Sequence, residues 1–60
     1  MKRYRVELKC WGWMLYTFVV DARSEIAAYH EAKRAYLEHA EKIGETDLRV
    51  ELWSCEEVAA

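Results

Sequence analysis

Sixty residues with a formal net charge of −2, 53% of them hydrophobic and 33% charged, leave room for one domain and one core. That balance excludes a disordered tail and disfavours a general phosphate binder. So short a chain buries only ~60% of its unfolded surface, which makes a supplement such as a disulfide, a metal or a partner valuable.

The chain opens with "YRVELKC", where Tyr4, Val6, Leu8 and Cys10 alternate with Arg3, Arg5, Glu7 and Lys9. Period two with aromatic and β-branched residues predicts a half-buried strand over about 3–10. The next eleven residues differ from everything else in the chain. "CWGWMLYTFVV", residues 10–20, holds two tryptophans, a tyrosine and a phenylalanine and has no charge. Gly12 supplies a turn, and a second strand is expected over about 13–21.

The hairpin loop decides which side chains of that strand face inward. A two-residue loop, Trp11-Gly12, pairs Cys10 with Trp13 and turns Tyr16 and Phe18 outward. A three-residue loop, Trp11-Gly12-Trp13, pairs Cys10 with Met14 and brings Met14, Tyr16, Phe18 and Val20 into the core, since a one-residue slip exchanges the faces. The second buries more and is adopted here.

"DARSEIAAYHEAKRAYLEHAEKIG" follows as a helix over about 25–43. Ser24 is placed to cap its start, Glu25 to complement its first turn and Gly44 to end it. Ile26, Tyr29, Ala32, Tyr36, Leu37, Ala40 and Ile43 recur at helical spacing as the core stripe, with Ala28 and Ala35 just beyond it. "DLRVELWSC" then alternates as a third strand over about 47–55, with Leu48, Val50 and Leu52 against Arg49, Glu51 and Trp53.

One helix over three strands is a two-layer α+β domain, ββαβ, spanning residues 1–60. Placing Glu7 opposite Arg49 and Arg5 opposite Glu51 gains ~0.2–1 kcal/mol per pair and favours the strand order 2-1-3, with strand two at an edge. No apolar run reaches the ~20 residues that cross a bilayer, and the alternating start is not a secretory leader, so a cytoplasmic protein away from membranes is expected. Cys10 and Cys55 are expected near opposite ends of the sheet, roughly six to eight residues apart at ~3.3 Å each, too far for a bridge. Two thiols suit a reducing compartment.

The sheet face away from the helix is then the candidate functional surface. It carries Arg3, Arg5, Glu7 and Lys9 from strand one, Trp13, Leu15, Thr17 and Val19 from strand two, and Arg49, Glu51 and Trp53 from strand three. A patch of this kind beside an edge with no Pro, Lys or Arg marks an interaction site more often than an isolated exposed hydrophobe does.

Chemistry is harder to place. His30 and His39 lie on opposite sides of the helix and cannot share a metal. Lys33 reads as a snorkelling side chain, and Glu31, Glu38, Glu41, Arg34 and Lys42 as a solvated helix face. No phosphate loop, catalytic triad or Cys–His pair is recognisable, so the expectation is a non-enzyme with no cofactor and no metal.

The segment "FVVDARSEIAAYHEAKRAY" resembles the strand-to-helix junction of small hairpin–helix–strand accessory proteins of phages and mobile elements, among them some anti-CRISPR inhibitors. That resemblance covers Phe18 to Tyr36 and implies a non-catalytic binder that occupies a surface of a larger host complex. Taken together, the expectation is a protein-interaction module, homodimeric through strand two and the open face, with Trp13, Leu15, Thr17, Val19, Trp53, Arg5, Lys9 and Arg49 at the contact. The alternative is single-stranded nucleic acid stacking on Trp13 and Trp53 beside Arg5, Lys9 and Arg49.

Overall fold

A computed structural model describes residues 1–58, two fewer than the expected domain span. Its elements are β1 (Lys2–Cys10), β2 (Met14–Ala22), α1 (Glu25–Ile43) and β3 (Val50–Val58). The three strands form one sheet in the order β2-β1-β3, with β1 antiparallel to both neighbours and α1 packed on one face. This is the ββαβ two-layer architecture and strand order read from the sequence.

β1 is the central strand, and its alternation becomes burial. Tyr4, Val6, Leu8 and Cys10 are buried under the helix, while Arg3 and Arg5 point out on the other side. Cys10 pairs with Met14 and Val6 with Phe18, the register of the three-residue loop. Tyr16, Phe18 and Val20 therefore pack against the core, and Ala22 is buried beneath the start of the helix.

The hairpin combines features of both loops considered. The Trp13 amide donates to the Cys10 carbonyl at 3.2 Å, closing a tight turn, yet the ladder resumes one residue later at Met14. Trp13 is thus an extra residue in the hairpin and not the first of the strand. Positive φ at both central positions, 58° at Trp11 and 84° at Gly12, is the pattern of a primed turn, which matches the twist of a hairpin. For Trp11 that conformation costs roughly 1–2 kcal/mol, because its Cβ crowds the following carbonyl. Three contacts hold it there. Its amide donates to the Arg49 carbonyl at 3.2 Å, its own carbonyl accepts from the Arg49 guanidinium at 3.3 Å, and its ring lies edge-on to Tyr16 with centroids 6.0 Å apart.

The helix starts and stops where its capping residues dictate. Ser24 is extended, and its hydroxyl accepts the Ala27 amide at 3.2 Å. Gly44 is left-handed at φ 74°, its amide reaches Glu41 and the Glu45 amide reaches Ala40, the paired bonds of a Schellman ending. The buried stripe is Ala28, Ala32, Tyr36 and Ala40, flanked by Tyr29 and Leu37. This corrects the expected stripe: Ala28 belongs to the core, while Ile26 is 72% exposed and Ile43 lies past the edge of the packing. Small side chains suit the contact because β1 already fills the interlayer space with Tyr4 and Leu8, and alanine lets the helix approach.

β3 departs furthest from expectation. It runs from Val50 to Val58, three residues later at each end than predicted. The residues before it spend their polar groups locally. Glu45 accepts the Asp47 amide at 2.8 Å, and Asp47 accepts the Arg49 amide at 3.2 Å and grips the Arg49 guanidinium at 2.7–3.1 Å. Such side-chain-to-backbone bonds compete with a ladder and delay its start. Leu8 pairs with Leu52 and Glu7 with Ser54, so Trp53 is the additional residue of a β-bulge.

The expected Glu7–Arg49 and Arg5–Glu51 pairs therefore do not form. Arg5 bonds Glu56, Lys9 lies opposite Glu51 and Glu7 accepts the Ser54 hydroxyl. The same shift brings Cys55 opposite Val6, only four residues along β1 from Cys10 and about 13 Å at the usual strand rise. Both cysteines are free, and they lie nearer each other than predicted.

Candidate functional site

Cross-strand pairing sorts the open face into rows. Leu15, Lys9 and Glu51 form the first, with the Trp53 ring 4.8 Å from the Lys9 ammonium. Thr17, Glu7 and Ser54 form the second, and Val19, Arg5 and Glu56 the third. Asp21, Arg3 and Val58 close the face, where the Arg3 guanidinium meets Asp21 at 3.1 Å.

The sheet thus brings Leu15, Thr17, Val19, Arg5, Lys9 and Trp53 onto one surface. Arg49, just before β3, lines a groove at one end of this surface together with Lys9 and Glu51. Arg49 precedes β3 and clamps the hairpin tip, and its pairing with Asp47 holds that carboxyl below the usual carboxylate range. Trp13 stands at the hairpin tip, 69% exposed, its ring edge-on to Trp11 at 6.0 Å.

The charge of the face is also corrected. With Asp21 and Glu56 present, Arg3, Arg5, Lys9 and the neighbouring Arg49 stand among Glu7, Asp21, Glu51 and Glu56. The basic excess expected from a longer strand is absent, and each cation already has an anion, or for Lys9 an indole, beside it. The shift of β3 and the bulge at Trp53 cause this, because an extra residue exchanges which side chains face out.

On the open face and the hairpin, the exposed apolar groups separate into two sets. Leu15, Val19 and Trp13 lie along β2, and Trp53 lies across the sheet beyond the charged row of β1. On the helix side of β2, Met14, Tyr16, Phe18 and Val20 are only half-buried. β2 therefore shows apolar surface on both faces and a bare backbone edge besides. These half-buried groups were missed by sequence reasoning, which counted them as fully covered. The signal was available, since one helix over three strands cannot shield an edge strand completely.

Two recesses hold polar chemistry. An open groove of about 410 Å³ between the hairpin and the start of β3 is lined by Lys9, Gly12, Arg49, Val50 and Glu51, a set with no nucleophile beside a base. Under the hairpin, the Trp11 indole N–H and the Tyr36 hydroxyl are sealed from solvent without a hydrogen-bond partner. Burial pushes the ionisation of Tyr36 and Cys10 upward, which keeps both neutral and unreactive. Among the described residues, no three of His, Cys, Asp and Glu gather to hold a metal, and no helix is long and apolar enough to cross a membrane. His30 lies against Tyr29 and His39 against Tyr16, with ring centroids 5.5 and 5.8 Å apart.

Fold and surface define a small two-layer α+β domain whose least protected element is an edge strand. Comparison with protein-family models, curated proteins and solved structures found no match to this chain.

Proposed function

We propose that this chain is a non-catalytic protein-interaction module whose docking element is β2, with Leu15, Thr17, Val19 and the adjoining Trp13 as its contact residues. One observation carries the reading: the β2 edge is nine residues long, regular and uncharged from Met14 to Val20, with apolar side chains exposed on the open side and only half-buried on the helix side. An edge like this pairs readily with another strand, and proteins ordinarily block such edges with charge, proline or a bulge. β-strand addition draws affinity from main-chain hydrogen bonds and specificity from alternate side chains. The resemblance to phage-type inhibitors supports a larger host complex as one class of partner.

Single-stranded nucleic acid has less support. On its tryptophan-bearing face Arg49 is already paired with Asp47 and the Trp11 carbonyl, and Lys9 already covers the Trp53 ring.

Tagged wild-type protein and its Val19→Lys variant, incubated with host lysate with and without nuclease, test the reading. A partner retained by wild type after nuclease and lost with Val19→Lys is expected. Equal capture by both proteins would overturn it, and partners released by nuclease would favour nucleic acid.

A further inference from the structure

We infer that the occupant of the β2 edge is the β2 strand of a second copy, antiparallel, with the two-fold axis passing through Thr17. The inference rests on the reading of β2 as the docking element and adds the partner and the register. Joining the two edges makes one continuous six-stranded sheet, β3-β1-β2 meeting β2-β1-β3 of the second copy, with both helices on the same face.

Complementarity selects this occupant. The strand offers no charge between Met14 and Val20, so a charged strand laid against it would leave its charges unpaired, whereas a second copy brings none. With the axis at Thr17, Leu15 meets the second copy's Val19, Tyr16 meets its Phe18 and Met14 meets its Val20. From Met14 to Val20 apolar groups then oppose apolar groups except at the axis, where two threonine hydroxyls face each other, a pairing that stabilises strands, and Asp21 falls outside this stretch, opposite Trp13 in the hairpin. Moving the axis to Phe18 sets Leu15 against Asp21, and moving it to Tyr16 leaves Val20 opposite Gly12. Thr17 is the centre that uses the whole uncharged stretch.

Both faces of β2 gain cover from this arrangement. On the open side, Leu15 (45% exposed) and Val19 (60% exposed) fall directly opposite each other across the new pair. On the helix side, the half-buried Tyr16 and Phe18 become cross-strand aromatic neighbours. Tyr16 already lies against Tyr36 and His39, with centroids 5.3 and 5.8 Å apart, so His39 marks the flank of α1 that leans over the β2 edge. The second copy's helix approaches along that flank.

Disulfide trapping in the full chain tests occupant and register together. Opposed residues in an antiparallel pair have Cα atoms ~4.5–5.5 Å apart, within disulfide reach. Thr17→Cys under mild oxidation is expected to give a covalent dimer in at least tenfold higher yield than Val19→Cys, whose two copies stand about 13 Å apart. Wild type under the same oxidant sets the background from Cys10 and Cys55. Should Thr17→Cys disturb folding, hydrogen exchange of the wild type is the second measurement: β2 amides are expected to gain at least tenfold protection between low and high protein concentration while β3 amides do not.

A wild type that sediments as a monomer at high concentration overturns the second-copy occupant. So does a dimer that traps through Trp53→Cys and not Thr17→Cys. If a monomeric wild type still captures a protein that Val19→Lys loses, β2 remains the docking element and only this inference falls. If Val19→Lys changes nothing, both fall.

Discussion

The sheet has two outer edges, and they are built in opposite ways. β3 carries Glu51, Glu56 and Glu57 along its length, ties Glu56 to Arg5 and Glu57 to Lys2, and interrupts its ladder with the bulge at Trp53. β2 is equally long but is regular, and it is uncharged until Asp21. Charge and bulges are the usual means of making an edge unattractive to another strand. A chain that protects one edge by both means and leaves the other bare shows that the bare edge does not follow from small size or composition alone.

The largest expected effect is a control that strikes both edges alike. Leu8→Ala on the central strand removes a fully buried side chain contacted from both layers and is expected to cost ~2–5 kcal/mol, read from chemical denaturation. It should weaken any association in proportion to lost folding, without changing which edge associates.

Removing the protection from β3 probes the comparison from the other side. Deleting Trp53 leaves every other cross-strand pair in register, because Leu52 and Ser54 already oppose consecutive residues of β1. The deletion is expected to keep the fold, to lose the Lys9–indole contact worth ~0.5–1 kcal/mol at an exposed site, and to straighten the edge. Combined with Glu51→Thr, Glu56→Thr and Glu57→Thr, it is expected to give concentration-dependent species larger than the dimer inferred for wild type, read by light scattering. An unchanged mass would show that charge and bulge are not what guards β3.

A smaller effect separates the edges by thiol chemistry. Cys55 on β3 is half-buried and Cys10 on β1 fully buried. A thiol reagent is expected to modify Cys55 at least tenfold faster, since opening the outer strand exposes it while Cys10 waits for wider unfolding. Similar rates would mean that β3 opens only with the whole sheet.

The smallest effect concerns pH. Burial raises the ionisation of Cys10 and Tyr36, and burial with the Glu25 charge raises that of Cys55. The folded state thus holds these protons more tightly than the unfolded chain. Their contribution is complete below the unfolded values, ~8.5 for cysteine and ~10 for tyrosine, and is lost as pH climbs through the raised folded values. Thermal unfolding is expected to shift down on the alkaline side of about pH 9, and less so in Cys10→Ala.

Much of the fold could be read from residue order, and the reasons are local. The alternation of β1, the Ser24 and Gly44 caps and the need to bury Tyr16 and Phe18 each depend on near neighbours, and they led to the elements and the hairpin register, whereas the strand order was reached through Glu7–Arg49 and Arg5–Glu51 pairs that do not form. β3 was misread because the alternation from Leu48 to Trp53 does not say where pairing begins. The bonds among Glu45, Asp47 and Arg49 form only once the chain turns off the helix, and nothing in the alternation marks Trp53 as a bulge. The same gap left out Glu56 opposite Arg5 and so overstated the basic character of the open face. The helix stripe was set too wide at both ends, taking in Ile26 and Ile43 and leaving Ala28 outside, because spacing alone does not say where the packing against β1 begins and stops.

The central position of β1 has a kinetic consequence. Its partner on one side follows after three residues, but on the other side Arg3 must find Val58, nearly the whole described length away. Hairpin and helix can form from local contacts in microseconds, whereas closing so long a loop comes later and slows folding. Until it closes, β1 also presents an open side, and the guarded strand is the one still missing. A refolding chain therefore passes through a stage with two receptive edges in place of one, and crowding at that stage favours exchange of β3 between molecules. Slow dilution and low protein concentration are the conditions under which this sheet should assemble cleanly.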